Sequence, residues 1–153
     1  MKSLRLSPSN ISGKITAPAS KSMMQRAIAA ALLAKTPTLL GNATYSNDSK
    51  AALGVIHGLG ATVSVKGNQV EITGGLNPTG ETLNFGESGL GIRMFSPIAA
   101  LWHEPLTLKG EGSLVSRPVT MIEEPLKQLG VSVETSGGFP PMTITGPIKA
   151  GEA

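Results

Sequence analysis

The chain of 153 residues contains no cysteine, and this absence excludes several classes of protein. Without a thiol it can form no disulfide, no iron–sulfur cluster and no thiolate zinc site, and it has no thiol nucleophile. Histidine is nearly as scarce, since His57 and His103 are the only two. A histidine-rich metal site is therefore excluded, and each histidine is interpreted as a surface or helix-end residue rather than a catalyst.

Aromatic residues and long apolar runs are also scarce. Phe, Trp and Tyr make up 3% of the chain, too few for the stacked rings that bind single-stranded nucleic acid. The longest apolar run, Ala27 to Ala34, is far too short to span a bilayer, and the first residues lack the apolar stretch of a signal peptide. We therefore expect a cytoplasmic protein with no membrane and no nucleic-acid partner.

The residues that are present supply a core and a mild excess of cations. Hydrophobic residues make up 40% of the chain, and 13 Lys and Arg residues exceed the 10 acidic residues, of which only Asp48 is an aspartate. No run of basic residues marks a nucleic-acid-binding arm. This charge balance is compatible with anionic ligands of any size.

An internal repeat organises the chain. The segment from Leu59 to Val65 recurs from Leu129 to Thr135, and a second β-like run follows each copy. Farther upstream, Arg26 and Arg93 each open an apolar helical stretch. The repeat predicts an α/β protein in which one unit occurs twice, each copy consisting of a helix, a strand, a helix and a β-hairpin.

Turn and capping residues predict where the helices begin. Ser22 and Gln25 have the spacing of a capping box, which places the start of the first helix at Ser22. Ser46 or Asn47 is expected to cap the second helix. In the second unit, Pro118 is a favoured first helical residue, and Pro125 is expected to kink or break the helix that follows. The second hairpin is expected to have the longer turn, with Gly137, Gly138, Pro140 and Pro141.

Four cations share a position at or near predicted helix starts. They are Lys21 and Arg26 in the first unit, and Arg93 and Arg117 in the second. Free backbone amides and the positive end of the helix dipole attract anions there, and glycines at 89 and 91 would let a ligand approach the backbone. One such residue alone is usually solvated, so the two repeat-related helix starts carry the argument together. They predict a scaffold that binds small phosphorylated or carboxylated molecules.

Three segments that contain these cations form ordered motifs. The first is Ala17-Pro18-Ala19-Ser20-Lys21-Ser22, followed by Arg26; the second extends from Leu83 to Pro97 and contains Glu87-Ser88-Gly89 and Arg93; the third is Gly112-Ser113-Leu114-Val115-Ser116-Arg117-Pro118. Together they resemble the signatures of the 5-enolpyruvylshikimate-3-phosphate (EPSP) synthases, a family of enolpyruvyl transferases. The motifs and the repeat cover nearly the whole chain.

The resemblance implies a fold of repeated βαβαββ units in an inside-out, barrel-like α/β domain. Family members have two such domains of three units each. Residues 14–80 and 81–153 would be two of these units, and residues 1–13 a strand or linker that normally belongs to the other domain. We therefore expect an N-terminal fragment that is inactive alone, because the acid and base groups of the other domain are missing.

The resemblance also implies an activity. These enzymes move the enolpyruvyl group of phosphoenolpyruvate to the 5-hydroxyl of shikimate 3-phosphate in the shikimate pathway of aromatic amino-acid biosynthesis. The reaction releases phosphate and needs no metal or organic cofactor. The partners implied are these two small substrates. We expect the full-length enzyme to be a monomer and the fragment to be prone to self-association through exposed apolar surface.

Site residues carry over by position. Lys21 would contact both substrates and act in catalysis by favouring charge that develops near phosphoenolpyruvate. Ser22 and Arg26 would hold shikimate 3-phosphate. Gly89 would offer its backbone amide to phosphoenolpyruvate, and Arg117 would clamp the phosphate of that substrate.

Four further positions are weaker candidates. Arg93 matches a signature position, and Asp48 would orient the neighbouring lysine. Glu87 stands where the family usually has Asn, and Leu90 where it usually has Thr. This extra carboxylate and this lost hydroxyl predict an altered affinity for glyphosate, the inhibitor that competes with phosphoenolpyruvate in this family.

Other functions stay open at this point. The sister enzyme, UDP-N-acetylglucosamine enolpyruvyl transferase, has Lys-Asn where this chain has Lys21-Ser22, and it usually carries a reactive cysteine. A non-catalytic polyanion- or RNA-binding module is a second alternative, because RNA 3′-phosphate cyclases share related repeat units. A purely structural or assembly role is the third.

Overall fold

Two α/β units follow one another in the computed structural model, which describes residues 3–149. The first contains α1 (Lys21–Leu33), β1 (Thr38–Leu40), α2 (Asn47–Gly58), β2 (Thr62–Lys66) and β3 (Gln69–Thr73). The second contains β4 (Thr82–Asn84), α3 (Gly89–Ala99), β5 (Leu106–Lys109), a short 3₁₀ helix (Gly112–Ser116), α4 (Thr120–Gln128), β6 (Ser132–Ser136) and β7 (Phe139–Thr145). None of the helices within residues 3–149 has the length and apolarity to cross a membrane.

The two sheets show the repeat directly. The first has the order β1-β3-β2, and the second has the order β4-β5-β7-β6, so that β5, β7 and β6 correspond to β1, β3 and β2. All pairs are antiparallel except β4 with β5, which is parallel. The second unit is therefore a complete βαβαββ unit. In the first, residues 14–20 form no strand, so the counterpart of β4 is not formed.

Buried apolar side chains from both units form one continuous core. In the hairpin of the first unit, apolar and polar residues alternate along both strands. Val70 and Ile72 on β3 are fully buried, as this alternation predicts, but Val65 on β2 is 53% exposed. The units meet where β4 packs against α2. Gly58 makes this approach feasible, because a Cβ there would lie 3.0 Å from Leu83 Cδ2. The units thus share a core and are not independent modules.

The start of α1 differs from the prediction. Ser20, not Ser22, is the N-cap, and its Oγ accepts a hydrogen bond from the amide of Met23 at 3.2 Å. Gln25 makes no capping box, because its side chain is fully buried and reaches towards α3. For α2, the choice between two predicted caps falls on Ser46, whose Oγ accepts from the amide of Ser49.

The start of α4 also differs. Pro118 does not open the helix, which begins at Thr120 after the 3₁₀ helix has ended at Ser116. The amide of Val119 donates instead to the carbonyl of Gly138 at 2.8 Å, which ties this segment to the second hairpin. Pro125 lies inside one continuous helix, so the break is wrong and the kink, the other predicted outcome, stays a prediction.

The turn of the second hairpin is as short as that of the first. It consists of Gly137 and Gly138, so the expected longer turn is wrong. The register of β6 and β7 shifts between Thr135 and Ser136, and the extra residues of β7 at this bulge are Pro140 and Pro141. Proline has no N–H to donate, so a bulge accommodates both prolines without the loss of a ladder bond.

Repeat-related glycines end the two hairpins. A Cβ at Gly74 would lie 2.5 Å from the carbonyl oxygens of Ala31 and Leu32, and Gly146 packs in the same way against carbonyls at the end of α3. We expect Gly74→Ala to lower the free energy of unfolding by about 1–3 kcal/mol, because backbone must move to admit the methyl group. Urea unfolding monitored by circular dichroism measures this change.

Gly54 provides the matched control. It lies exposed in the interior of α2, and a Cβ there would meet nothing within 4 Å. Gly54→Ala should therefore raise the free energy of unfolding by about 0.5–1 kcal/mol through helix propensity. Equal effects of the two substitutions would contradict the packing assigned to Gly74.

An ion pair on α4 generates a pH prediction. Glu123 accepts hydrogen bonds from Lys127 Nζ at 2.7 Å and from Thr135 Oγ1 at 3.1 Å, and the bond from Lys127 holds its pKa below the usual value. Because the folded-state pKa is lowered, the stabilisation is complete above the unfolded pKa and disappears as the pH falls through the folded pKa. Glu123→Gln should therefore destabilise the protein at pH 7 and match the wild type at low pH. Unfolding midpoints across this pH range measure the difference, and a pH-independent difference would contradict it.

Candidate anion-binding site

Three helix starts meet at one cavity of about 330 Å³. A serine caps each of them: Ser20 for α1, Ser46 for α2 and Ser88 for α3. Each serine satisfies one backbone amide, and further amides of the first turn keep the positive end of the helix dipole directed at the cavity. Lys21 is the first residue of α1, and Gly89 is the first residue of α3. The arrangement is suited to bind negative charge.

The cavity brings together most of the residues singled out in the sequence. Those that line it are Lys21, Ser22, Asp48, Glu87, Gly89, Leu90 and Arg117, together with Gln25 and Ser113, which the sequence analysis did not predict as site residues. Residues from both units contribute, so the site exists only because the two units share a core. Within residues 3–149, no group of three or more histidine and acidic side chains could hold a metal ion.

Lys21 is held by an aspartate. Its Nζ lies 2.9 Å from Asp48 Oδ2, and the lysine side chain is 55% exposed, whereas that of Asp48 is 21% exposed. One ion-pair contact uses at most one of the three N–H donors of the ammonium group. The aspartate therefore restricts the lysine side chain at the cavity, and the ammonium group keeps donors for a ligand.

Arg117 lies against the start of α3. Its Nη2 donates to Ser113 Oγ at 2.9 Å, and a Cβ at Gly89 would lie 3.1 Å from its Nη1. The ion pairs within residues 3–149 do not include this guanidinium. Its charge is thus available to an anion that also meets the first amides of α3, in the bidentate geometry that arginine offers to phosphate and carboxylate.

Glu87 brings a negative charge to the same wall. Its Oε1 accepts a hydrogen bond from the amide of Ser113 at 3.1 Å. Gly112 makes room for this carboxylate, because its backbone has φ +49° and an added Cβ would coincide with Glu87 Oε1. Leu90, the second residue of α3, adds an apolar side chain to the cavity. The site is therefore less cationic and less polar than its helix starts alone would make it.

Two predicted cations and one glycine lie elsewhere. Arg26 is one turn farther along α1, and its Nη1 donates to the carbonyl of Ser22 at 3.0 Å. Arg93 lines a separate, apolar groove between α3 and α4. Gly91 is buried and serves the cap, since its amide donates to Ser88 Oγ at 3.0 Å. Only Lys21 and Arg117 of the four predicted cations line the cavity.

The two residues that sequence reasoning missed carried a signal. Gln25 precedes Ile28 by three positions and Leu32 by seven, which places it on the apolar face of α1. A polar side chain on a buried face is expected to have a specific partner. Ser113 lies within the third motif itself, four residues before Arg117, so its place beside the arginine follows from the short helical segment between them.

The fold and the cavity define a repeated α/β protein with a cavity suited to small anions. Comparison with known proteins identifies the family. Residues 6–153 match the family described as EPSP synthase (3-phosphoshikimate 1-carboxyvinyltransferase). The chain is 37% identical to a 3-phosphoshikimate 1-carboxyvinyltransferase of Methanocorpusculum labreanum, over 97% of this chain and 36% of that protein. A protein of the same name from Chlamydia felis is 34% identical, over 99% of this chain and 35% of that protein.

Solved structures agree with the sequence comparison. An EPSP synthase from Acinetobacter baumannii superposes with a TM-score of 0.79 at 29% identity, over 89% of this chain and 32% of that chain. The chain therefore belongs to the EPSP synthase family, and the inside-out α/β fold expected from the motifs is confirmed. It spans about a third of the length of the relatives that it matches.

The contact between Gly112 and Glu87 generates a prediction. Gly112→Ala should destabilise the chain for two reasons, a positive φ that L-residues rarely adopt and a clash with the Glu87 carboxylate. In the Glu87→Ala background only the first reason remains. A double-mutant cycle of urea unfolding should therefore show a coupling of about 0.5–3 kcal/mol, and additive effects would contradict this contact.

Proposed function

We propose that the protein to which this chain contributes transfers the enolpyruvyl group of phosphoenolpyruvate to the 5-hydroxyl of shikimate 3-phosphate. The observation that carries this proposal is the cavity at the helix starts of α1 and α3, which Lys21 and Arg117 both line in a chain of the EPSP synthase family. Both substrates are phosphorylated carboxylic acids, which is the chemistry that such a cavity selects.

Each substrate would use a different wall of the cavity. Ser22 on α1 would bind shikimate 3-phosphate, with Arg26 one turn farther along the same helix. Arg117 and the backbone amide of Gly89 would bind the phosphate of phosphoenolpyruvate. Lys21 lines the same cavity and would contact both substrates. Its ion pair with Asp48 supports this role because it restricts the direction of the side chain.

The chemistry proposed for these residues is electrostatic. The 5-hydroxyl oxygen adds to C2 of phosphoenolpyruvate and gives up its proton, while C3 gains a proton, which yields a tetrahedral adduct. Loss of phosphate and of a C3 proton then gives the product. Fixed cations that face developing negative charge lower such barriers. Lys21 and Arg117 would stabilise the substrate and leaving phosphate, while parts of the protein outside this chain would supply proton transfer.

Glu87 and Leu90 would modulate the phosphoenolpyruvate side of the site. The Glu87 carboxylate is fixed by Ser113 on the wall that holds Arg117, so it reduces the positive potential there. Leu90 offers no hydroxyl. We propose that these two residues alter the affinity for glyphosate relative to members with Asn and Thr, and that the full-length enzyme acts as a cytoplasmic monomer.

Titration of the chain with shikimate 3-phosphate and then with phosphoenolpyruvate, followed by backbone-amide NMR, tests the proposal. Shifts should cluster at Lys21, Ser22 and Gly89. Lys21→Ala should weaken binding by about ten- to a hundredfold, because a charge-assisted hydrogen bond is lost. Lys35→Ala is the matched control: this exposed lysine lies beyond the opposite end of α1 and should leave binding unchanged.

Two outcomes would contradict the proposal. A folded chain that ignores both ligands would show that these residues form no substrate site by themselves. RNA binding that falls steeply with salt, while both small ligands are ignored, would favour the polyanion-binding module instead.

A further inference from the structure

Gln25 connects the two units at the floor of the cavity. Its side chain is fully buried, and its Oε1 accepts a hydrogen bond from Ser88 Oγ at 2.8 Å. Ser88 Oγ also accepts from the amide of Gly91 at 3.0 Å, which makes it the N-cap of α3. A side chain of α1 therefore holds the residue that begins α3.

The other end of the same side chain is unsatisfied. Among the described residues, Gln25 Nε2 is the buried side-chain nitrogen without a hydrogen-bond partner. A buried N–H group without an acceptor is costly, and native proteins rarely retain one unless something else satisfies it. The amide has two hydrogens on this nitrogen, so the need for an acceptor is substantial.

Hydrogen bonding fixes which end of the amide is unsatisfied. Ser88 Oγ already accepts the Gly91 amide and has one hydrogen to donate, so it requires an acceptor from Gln25. The carbonyl oxygen of the side chain meets this requirement. A reversed amide would leave the serine hydrogen unpaired, so the NH₂ group is the end that remains for another partner.

The position of Gln25 indicates where that partner comes from. Gln25 lines the same cavity as Lys21, Ser22 and Arg117. It follows Lys21 by four positions and Ser22 by three on α1, so the three side chains share one face of the helix. The NH₂ group of Gln25 is a neutral donor in a cavity that Lys21 and Arg117 also line. Such a donor is suited to an oxygen that can only accept a hydrogen bond, as in a phosphate or carboxylate group.

We infer that Gln25 is a substrate-binding residue whose Nε2 donates a hydrogen bond to a phosphate or carboxylate oxygen of the anion bound between α1 and α3. The inference rests on the proposed function for the identity of that anion. It adds a determinant of specificity that is neutral and buried, beside the cations and the backbone amides. It also couples the bound ligand to the start of α3, because the same amide holds Ser88.

Two substitutions separate the binding role from the packing role. Gln25→Met has similar volume and removes both the unsatisfied donor and the bond to Ser88. Gln25→Glu keeps an acceptor for Ser88 but replaces the donor with an oxygen. If Gln25 binds the anion, both variants should weaken binding by about ten- to a hundredfold. The thermal midpoint of Gln25→Met should fall, because Ser88 loses its acceptor, whereas Gln25→Glu keeps that acceptor.

The experiment uses the 153-residue chain with three separate probes: shikimate 3-phosphate, phosphoenolpyruvate and inorganic phosphate. Calorimetric titration gives the affinities, and NMR follows the side-chain NH₂ signal of Gln25, assigned by its loss in Gln25→Met. We expect the NH₂ signal of Gln25 to shift when a probe is added, and we expect both variants to bind that same probe more weakly than the wild type does. A response to all three probes identifies a phosphate oxygen, and a response to phosphoenolpyruvate and shikimate 3-phosphate alone identifies a carboxylate.

The outcomes distinguish this inference from the proposed function. Wild-type binding of a probe with an unchanged Gln25 signal, and with equal affinity in Gln25→Glu, would overturn the inference alone and assign the nitrogen to a water molecule. A folded wild type that binds no probe would overturn the proposed function and the inference with it. If Gln25→Met fails to fold, the affinity of Gln25→Glu and the NH₂ signal of the wild type still show whether Gln25 binds the anion.

Discussion

The hydrogen bonds at the Ser88 hydroxyl hold the functional part of this molecule together. This buried oxygen caps α3 and donates to Gln25 on α1, a residue 63 positions away in sequence. Both side chains are buried, so these bonds are shielded from competition by bulk water. These bonds fix the position of the start of α3 relative to α1. They thereby fix Gly89, which lies beside Arg117, relative to Lys21.

The electrostatics of the cavity follow from this placement. Three helix starts provide partial positive charge, two cations add full charges, and Asp48 and Glu87 subtract from the total. The acidic residues are not equivalent, because Asp48 pairs with a cation, whereas Glu87 is held by a backbone amide. The first therefore directs a donor, and the second lowers the potential of the wall that it occupies. A site of this kind binds anions by the arrangement of its charges rather than by their sum.

Much of this architecture could be predicted from the sequence. The alternation of Val70 and Ile72 and the cap at Ser46 gave correct local structure, and the three motifs placed Lys21 and Arg117 at one site. Predictions from local sequence were wrong where a contact with a residue distant in sequence determines the structure. Gln25 was assigned to a capping box because the spacing from Ser22 allows one, yet Ser20 caps the helix and Gln25 serves α3. Pro118 was assigned to a helix start, but the bond from Val119 to Gly138 delays that start.

The glycines that end the hairpins have a consequence for how such a protein diversifies. At the carbonyl ends of α1 and α3, backbone meets backbone: Gly74 and Gly146 touch carbonyl oxygens, and the amides of Gly75 and Ile148 donate to them. At the amide ends, by contrast, side chains line the cavity. Ser22 and Leu90, whose side chains make no buried hydrogen bond, can therefore change the chemistry of the cavity at little cost to the scaffold, whereas Gly74 and Gly146 admit no side chain without a shift of backbone. Backbone packing thus restricts the sequence at the carbonyl ends of α1 and α3, whereas the residues at their amide ends can vary in chemistry.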